Sequence, residues 1–170
     1  MKAHFLMFAA YNLWANELVY EAADRVPDEK YRADLGAFFG SIHGTLNHLI
    51  VADRVWMRRF TGEGPIQTRL DEILFEDRAE LAAARRNEDQ RIMAWVESLT
   101  DEDLAARFTY RTLNSSEVTQ PLSSALAHVF NHQTHHRGQL HCLLTMAGGR
   151  DAAPSLDLIT FQRNTGIGMG

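Results

Sequence analysis

Asn131-His132-Gln133-Thr134-His135-His136-Arg137-Gly138-Gln139 lies in the middle of a run, Pro121 to Gly148, that reads as one long helix. An α-helix turns about 100° per residue, so the direction each side chain faces follows from its position. With His132 as the origin, Leu122, Ala125, Val129, Leu140, Leu143 and Ala147 fall between roughly 20° and 80°, which is one continuous apolar stripe. His136 sits at about 40°, inside that stripe. His128 and His135 lie at its polar edge, and His141 is on the opposite side. Pro121 suits a first helical turn, and Gly148-Gly149 suits the end. His132 and His136, one turn apart and facing the core, can share a metal ion. Two ligands make a weak site, so a third has to come from another part of the chain.

Three more helical patterns precede this one. The first covers about Lys2 to Arg25, with Phe5, Phe8, Ala9, Leu13 and Tyr20 at helical spacing, and stops before Pro27. The second runs from about Ser41, an N-cap residue type, to Phe60, ahead of the Gly62/Gly64-Pro65 breaker. The third extends from about Phe75 to Leu99 and is charged on one side. Between the third and fourth helices, Arg107–Leu113 and Glu117–Thr119 flank Asn114-Ser115-Ser116 as a hairpin or extended loop. Pro27–Gly40 reads as a connector with one short helical turn. In the tail, Leu156, Leu158, Ile159 and Phe161 are expected to pack back on the body. Four helices with little strand predict an all-α four-helix bundle, whose interior is a common place for a metal site.

The second helix supplies the missing donor. Its wheel puts His48 beside Thr45, Ala52, Val55 and Trp56, which face inward, and turns His43 roughly 140° away, toward solvent or a partner. Three inward imidazoles, His48, His132 and His136, would leave a fourth position open, the pattern of a catalytic rather than a closed structural zinc site. The second and fourth helices offer no evident inward carboxylates, which argues against a carboxylate-bridged dimetal centre. Asn12 and Asn16 share one face of the first helix and read as structural, though either could bond a metal-bound water. Gly138 costs its helix about 1 kcal/mol relative to alanine, to be explained by close helix approach or by a tolerated packing glycine. Trp14, Trp56 and Trp95 read as core or interface anchors.

Composition sets the outer bounds. The 170 residues fit a single domain spanning 1–170, with 45% hydrophobic and 23% charged residues, as in ordinary globular proteins. A net charge of −5 argues against a nucleic-acid partner, because counterion release needs a basic surface. The lone Cys142 excludes an intrachain disulfide, and no apolar run approaches membrane-spanning length. A cytoplasmic protein with no membrane partner is the simplest reading.

Four segments together resemble the DinB family of DinB/YfiT-like proteins. They are Tyr11-Asn12-Leu13-Trp14-Ala15-Asn16, Gly44-Thr45-Leu46-Asn47-His48-Leu49-Ile50-Val51-Ala52-Asp53-Arg54-Val55-Trp56, the His132 segment quoted above, and the tail Pro154-Ser155-Leu156-Asp157-Leu158-Ile159. The resemblance spans nearly the whole chain. It implies a bundle with up-down-down-up connectivity and a long crossover, a divalent metal held by three histidines, and frequent homodimers. The family's ligands fall on His48, His132 and His136, the trio the wheels select. His43, His128 and His135 have no metal role by that mapping.

Two classes of function follow. One is a metal-dependent enzyme holding Zn²⁺, with Ni²⁺ or Fe²⁺ also suited to imidazole donors. Some relatives use a low-molecular-weight thiol, so a thiol-dependent transferase or isomerase is one version and a hydrolase the other. No general base is evident, and Asp53 is too far along its helix from His48 to serve. The other class is a non-catalytic metal-binding module for stress response or sensing. A plain bundle whose histidines only bond one another is the third alternative. Surplus aromatics on the first helix (Phe5, Phe8, Tyr11, Trp14) point to a homodimer.

Overall fold

In the computed structural model, which describes residues 1–169, four long helices form the frame: α1 (Lys2–Asp24), α3 (Ile42–Thr61), α4 (Arg78–Ser98) and α6 (Leu122–Gly148). Shorter helices α2 (Asp28–Arg32), α5 (Asp101–Ala105) and α7 (Leu158–Thr165) decorate it, with a 3₁₀ turn at Arg150–Ala152. Strands β1 (Arg107–Arg111) and β2 (Glu117–Pro121) pair antiparallel, with Thr109 opposite Thr119.

Local chemistry sets the helix ends. Ser41 caps α3 by accepting from Gly44 N, and Gly62 ends it in the left-handed region at φ 77°. The α4 pattern starts later than expected, because the Leu74 and Phe75 amides donate to Asn47 Oδ1. Asp77 then caps the helix at Glu80 N. In the tail, Phe161 is buried against Tyr11 and Trp14, whereas Ile159, expected to pack, stays exposed. On α7, Ile159 points away from the face that carries Leu158 and Phe161, which packs on α1.

Contacts between the long helices fix their directions. Lys2 bonds near the end of α4 at Glu97, whereas Arg78 at its start reaches Ala23 and Val26, so α1 and α4 are antiparallel. Asp53 faces Arg85 and Thr61 faces Arg91, so α3 and α4 run parallel. His48 meets His136 while Trp56 packs against Ala125 and Val129, so α3 and α6 are antiparallel. The order is up-down-down-up, and residues 62–77 make the long crossover between the parallel α3 and α4.

The apolar interior has two main parts. One lies around Leu46, Leu49, Ile50, Leu81, Leu140 and Leu144, and the other around Phe5, Met57, Ile92, Leu104, Leu126 and Phe130. The first-helix aromatics are used within the chain: Phe8 stacks on Phe130 at 5.9 Å and Trp14 meets Phe161 at 5.6 Å. They therefore lend no support to a dimer.

A buried polar lattice crosses the middle of the bundle. Arg85, 2% exposed, places Nη1 2.7 Å from Asp53 Oδ2 and Nη2 2.9 Å from Asp89 Oδ1. Gln133 Nε2 donates to Asp53 Oδ2 at 2.6 Å. Asn12 and Asn16 donate to Asp89 at 3.0 Å and accept from Arg137. Two carboxylates and two guanidiniums thus neutralise one another, and each long helix contributes to the set. The expectation that α3 carries no inward carboxylate is corrected here. Asp53 is 1% exposed, but Arg85 and Gln133 occupy it. The structural reading of Asn12 and Asn16 is the one the contacts bear out.

Among the described residues, no helix is long and apolar enough to cross a membrane.

Candidate metal centre

His48 on α3 and His132 and His136 on α6 converge through their Nε2 atoms. His48 is 3.2 Å from His132 and 3.2 Å from His136, and His132 is 3.1 Å from His136. These are the residues the helical wheels bring together, and they are the cluster of metal-ligating side chains found among the described residues. His48 and His136 are buried and His132 is half-buried.

The back nitrogens decide what the front ones can do. His48 Nδ1 lies 2.7 Å from the Leu70 carbonyl, which can only accept, so Nδ1 carries the proton. His136 Nδ1 donates to Gln139 Oε1 at 2.7 Å. In the neutral rings, both Nε2 atoms therefore present lone pairs to each other at 3.2 Å. His132 has at most one proton to offer, so imidazole–imidazole hydrogen bonding cannot satisfy the triad. Protonation does not relieve it at neutral pH either. Burial lowers the His48 pKa to about 4, helped by His136 and opposed by the Leu70 carbonyl. Burial, then repulsion from His136 and His48, lowers His132 to about 3. Burial also lowers His136.

The spacing fits a divalent ion. With metal–nitrogen bonds of about 2.0–2.1 Å, tetrahedral angles put neighbouring nitrogens about 3.3 Å apart, and right angles about 2.9 Å. The observed 3.1–3.2 Å triangle lies between these values.

Flanking groups hold the rings. Phe39 stacks on His48 with centroids 3.7 Å apart and meets His136 edge-on at 5.5 Å. Phe39 is brought so close because Gly44 has no side chain: a Cβ there would lie 2.2 Å from the Phe39 carbonyl oxygen. Asn47 binds the Leu74 and Phe75 backbones and so anchors the end of the crossover that delivers the Leu70 carbonyl. Neither Phe39 nor the Leu70 carbonyl was legible in the sequence, because both lie in irregular segments where no periodicity assigns a direction.

The remaining histidines do not join the triad, although the His135 ring lies 4.7 Å from His136 and the His128 ring 5.9 Å from His132. His128, His135 and His141 are exposed, as expected. His43 corrects the expectation that it faces solvent or a partner: it is 5% exposed, with Nδ1 3.2 Å from the Tyr31 hydroxyl. Helix α2 folds over that side of α3, and a wheel drawn for one helix cannot register such a cover. Gly138 serves no close approach, since a Cβ there would meet nothing within 4 Å.

The chain is thus a four-helix bundle in which three imidazoles converging from two facing helices could hold a metal ion. The DinB family model matches residues 1–167, and the chain belongs to the DinB family. Protein DinB of Bacillus subtilis (strain 168) is 28% identical over 173 residues, covering 91% of this chain and 92% of that protein. A DinB-like protein from Bacillus cereus ATCC 10987 superposes with a TM-score of 0.64 at 22% identity, covering 85% of this chain and 91% of the other. At that identity the likeness concerns the fold alone.

Proposed function

We propose that the chain binds one divalent transition metal through His48, His132 and His136 and uses it as a metal-dependent enzyme on a small molecule. Zn²⁺ is the first choice, with Ni²⁺ and Fe²⁺ suited to the same donors. The observation that carries this reading is the Nε2 triangle, in which bonds from the back nitrogens of His48 and His136 turn the lone pairs of those two rings inward. Three neutral ligands would leave the ion its full charge and an open position. A bound metal would there lower the pKa of a water or thiol and hold it for attack. The protein's own part is to present neutral imidazoles and to keep the His48 and His136 rings oriented through Leu70 and Gln139.

The lack of a free carboxylate favours the thiol version. Asp53 is engaged by Arg85 and Gln133, which leaves no free carboxylate among the groups that meet the triad. A thiol, with an ordinary pKa near 8.5, needs far less help to ionise on a metal than water does. We therefore favour a thiol-dependent transferase or isomerase over a hydrolase. The same missing carboxylate favours, as a second reading, a non-catalytic metal-binding module for stress response or sensing.

The test is metal content and turnover in protein purified without a histidine tag. One ion per chain is expected, lost in His48→Ala, His132→Ala and His136→Ala and kept in His141→Ala. Metal-dependent consumption of a thiol with an electrophile would support the enzyme, whereas binding with no turnover across thiol and ester screens would favour the module. A homodimer is a proposal from the family resemblance, and a monomer mass in sedimentation would refute it.

A further inference from the structure

Arg59 lies eleven residues beyond His48 on α3, which puts it about 20° round and about 16 Å along the same helix face. Its guanidinium carbon is 4.6 Å from the Trp56 ring centre and 5.0 Å from that of Tyr110. Burial and Tyr110 are the influences on its ionisation, with no carboxylate among them. The neighbouring arginines on the helix are placed differently: Arg54 faces Glu88 at 3.8 Å and Arg58 donates to the Gly64 carbonyl. Arg59 is thus a half-buried cation seated against two aromatic rings that meet edge to face, with its N–H fork uncommitted.

The strip from Arg59 to the triad is continuous. The Trp56 ring is 5.0 Å from His128, and the His128 ring is 5.9 Å from His132. Among the described residues, the one histidine within ion-pair distance of a carboxylate is His43, and no carboxylate joins the three converging imidazoles. One side of the proposed metal therefore runs into a strip that carries the Arg59 cation and no carboxylate paired with it.

We propose that Arg59, seated on Trp56 and Tyr110, anchors an oxyanion, carboxylate or phosphate, at the far end of the small molecule whose near end reaches the histidine triad. The proposal rests on the metal-centre reading above and assigns its substrate class. A planar fork with free donors suits either oxyanion, and the aromatic strip offers the middle of the molecule an apolar surface.

The test uses cobalt-loaded protein and the thiolate–cobalt absorption band as a binding readout. Two matched pairs serve as probes: glutathione against its diethyl ester, and 4′-phosphopantetheine against pantetheine. In the unchanged protein, the charged member of at least one pair should bind on the order of tenfold more tightly, as expected for one charge-assisted contact. The pair that discriminates identifies the oxyanion. In Arg59→Ala the ratio should fall to about one, with Arg59→Lys intermediate. Arg59→Gln keeps a planar group over the rings and should also lose the preference, which covers the case that alanine disturbs the fold. Equal binding within both pairs, or a ratio that survives in Arg59→Gln, would overturn the assignment while leaving the metal site standing. No thiol-dependent band in the unchanged protein would remove this proposal together with the thiol version of the enzyme, whereas the metal site stands or falls on its metal content.

Discussion

Asp53→Ala should be strongly destabilising, and the size of the loss can be worked from the contacts. Asp53 is 1% exposed and lies 2.7 Å from Arg85 Nη1. Removing it turns a neutral set of two carboxylates and two guanidiniums into one with a net buried positive charge. Breaking a buried pair from one side costs about 3–5 kcal/mol. Gln133 Nε2 also loses its acceptor at 2.6 Å, but the cavity left behind is small and can admit water, so the total should stay near 4 kcal/mol. For a chain of this size that corresponds to roughly 8–16 °C in Tm. Urea unfolding with a chelator present, so that metal binding does not contribute, should show a lower midpoint with an unchanged m-value. A loss under about 1 kcal/mol would refute the view that Asp53 is a paired interior charge rather than a solvated one.

Gly44→Ala should destabilise the protein by about 1–3 kcal/mol and weaken metal binding, because its Cβ would press on the Phe39 carbonyl at 2.2 Å; metal titration with no change in affinity would contradict this. Gly138→Ala should stabilise by about 1 kcal/mol, since helix propensity improves and the new Cβ meets nothing within 4 Å; a lower thermal midpoint would count against it. The metal-free protein should lose stability as pH falls below about 6.5, the ordinary histidine value, and the loss should continue toward the folded values of about 4 for His48 and about 3 for His132. The sign follows from lowered folded pKa values: below 6.5 the unfolded chain binds protons that the folded chain refuses. Urea midpoints at pH 7 and pH 5 should therefore differ less in a His48→Gln/His132→Gln double variant than in the unchanged protein, and equal differences would sink the claim.

The long helices and the triad were legible in the sequence because both are periodic. An apolar stripe that includes His136, and a second that includes His48, already state that these rings face a shared interior. The lattice of Asp53, Arg85, Asp89 and Arg137 was not legible, because charges on a helix read as solvated until their partners are known. Those partners lie far along the chain, as Arg137 and Asn12 do. His43 was misread for a related reason: the cover over it comes from α2, which is five residues long and leaves almost no periodic signal. The orienting carbonyl of Leu70 and the ring of Phe39 belong to irregular backbone, whose course depends on local bonds such as those from Asn47.

X-ray absorption at the metal edge, on untagged protein as isolated, reads the ligand shell itself. One ion is expected, with three imidazole nitrogens at about 2.0–2.1 Å and at least one further light-atom or sulfur ligand. Protein free of metal after mild purification, or an ion whose shell shows fewer than three imidazoles, would contradict it.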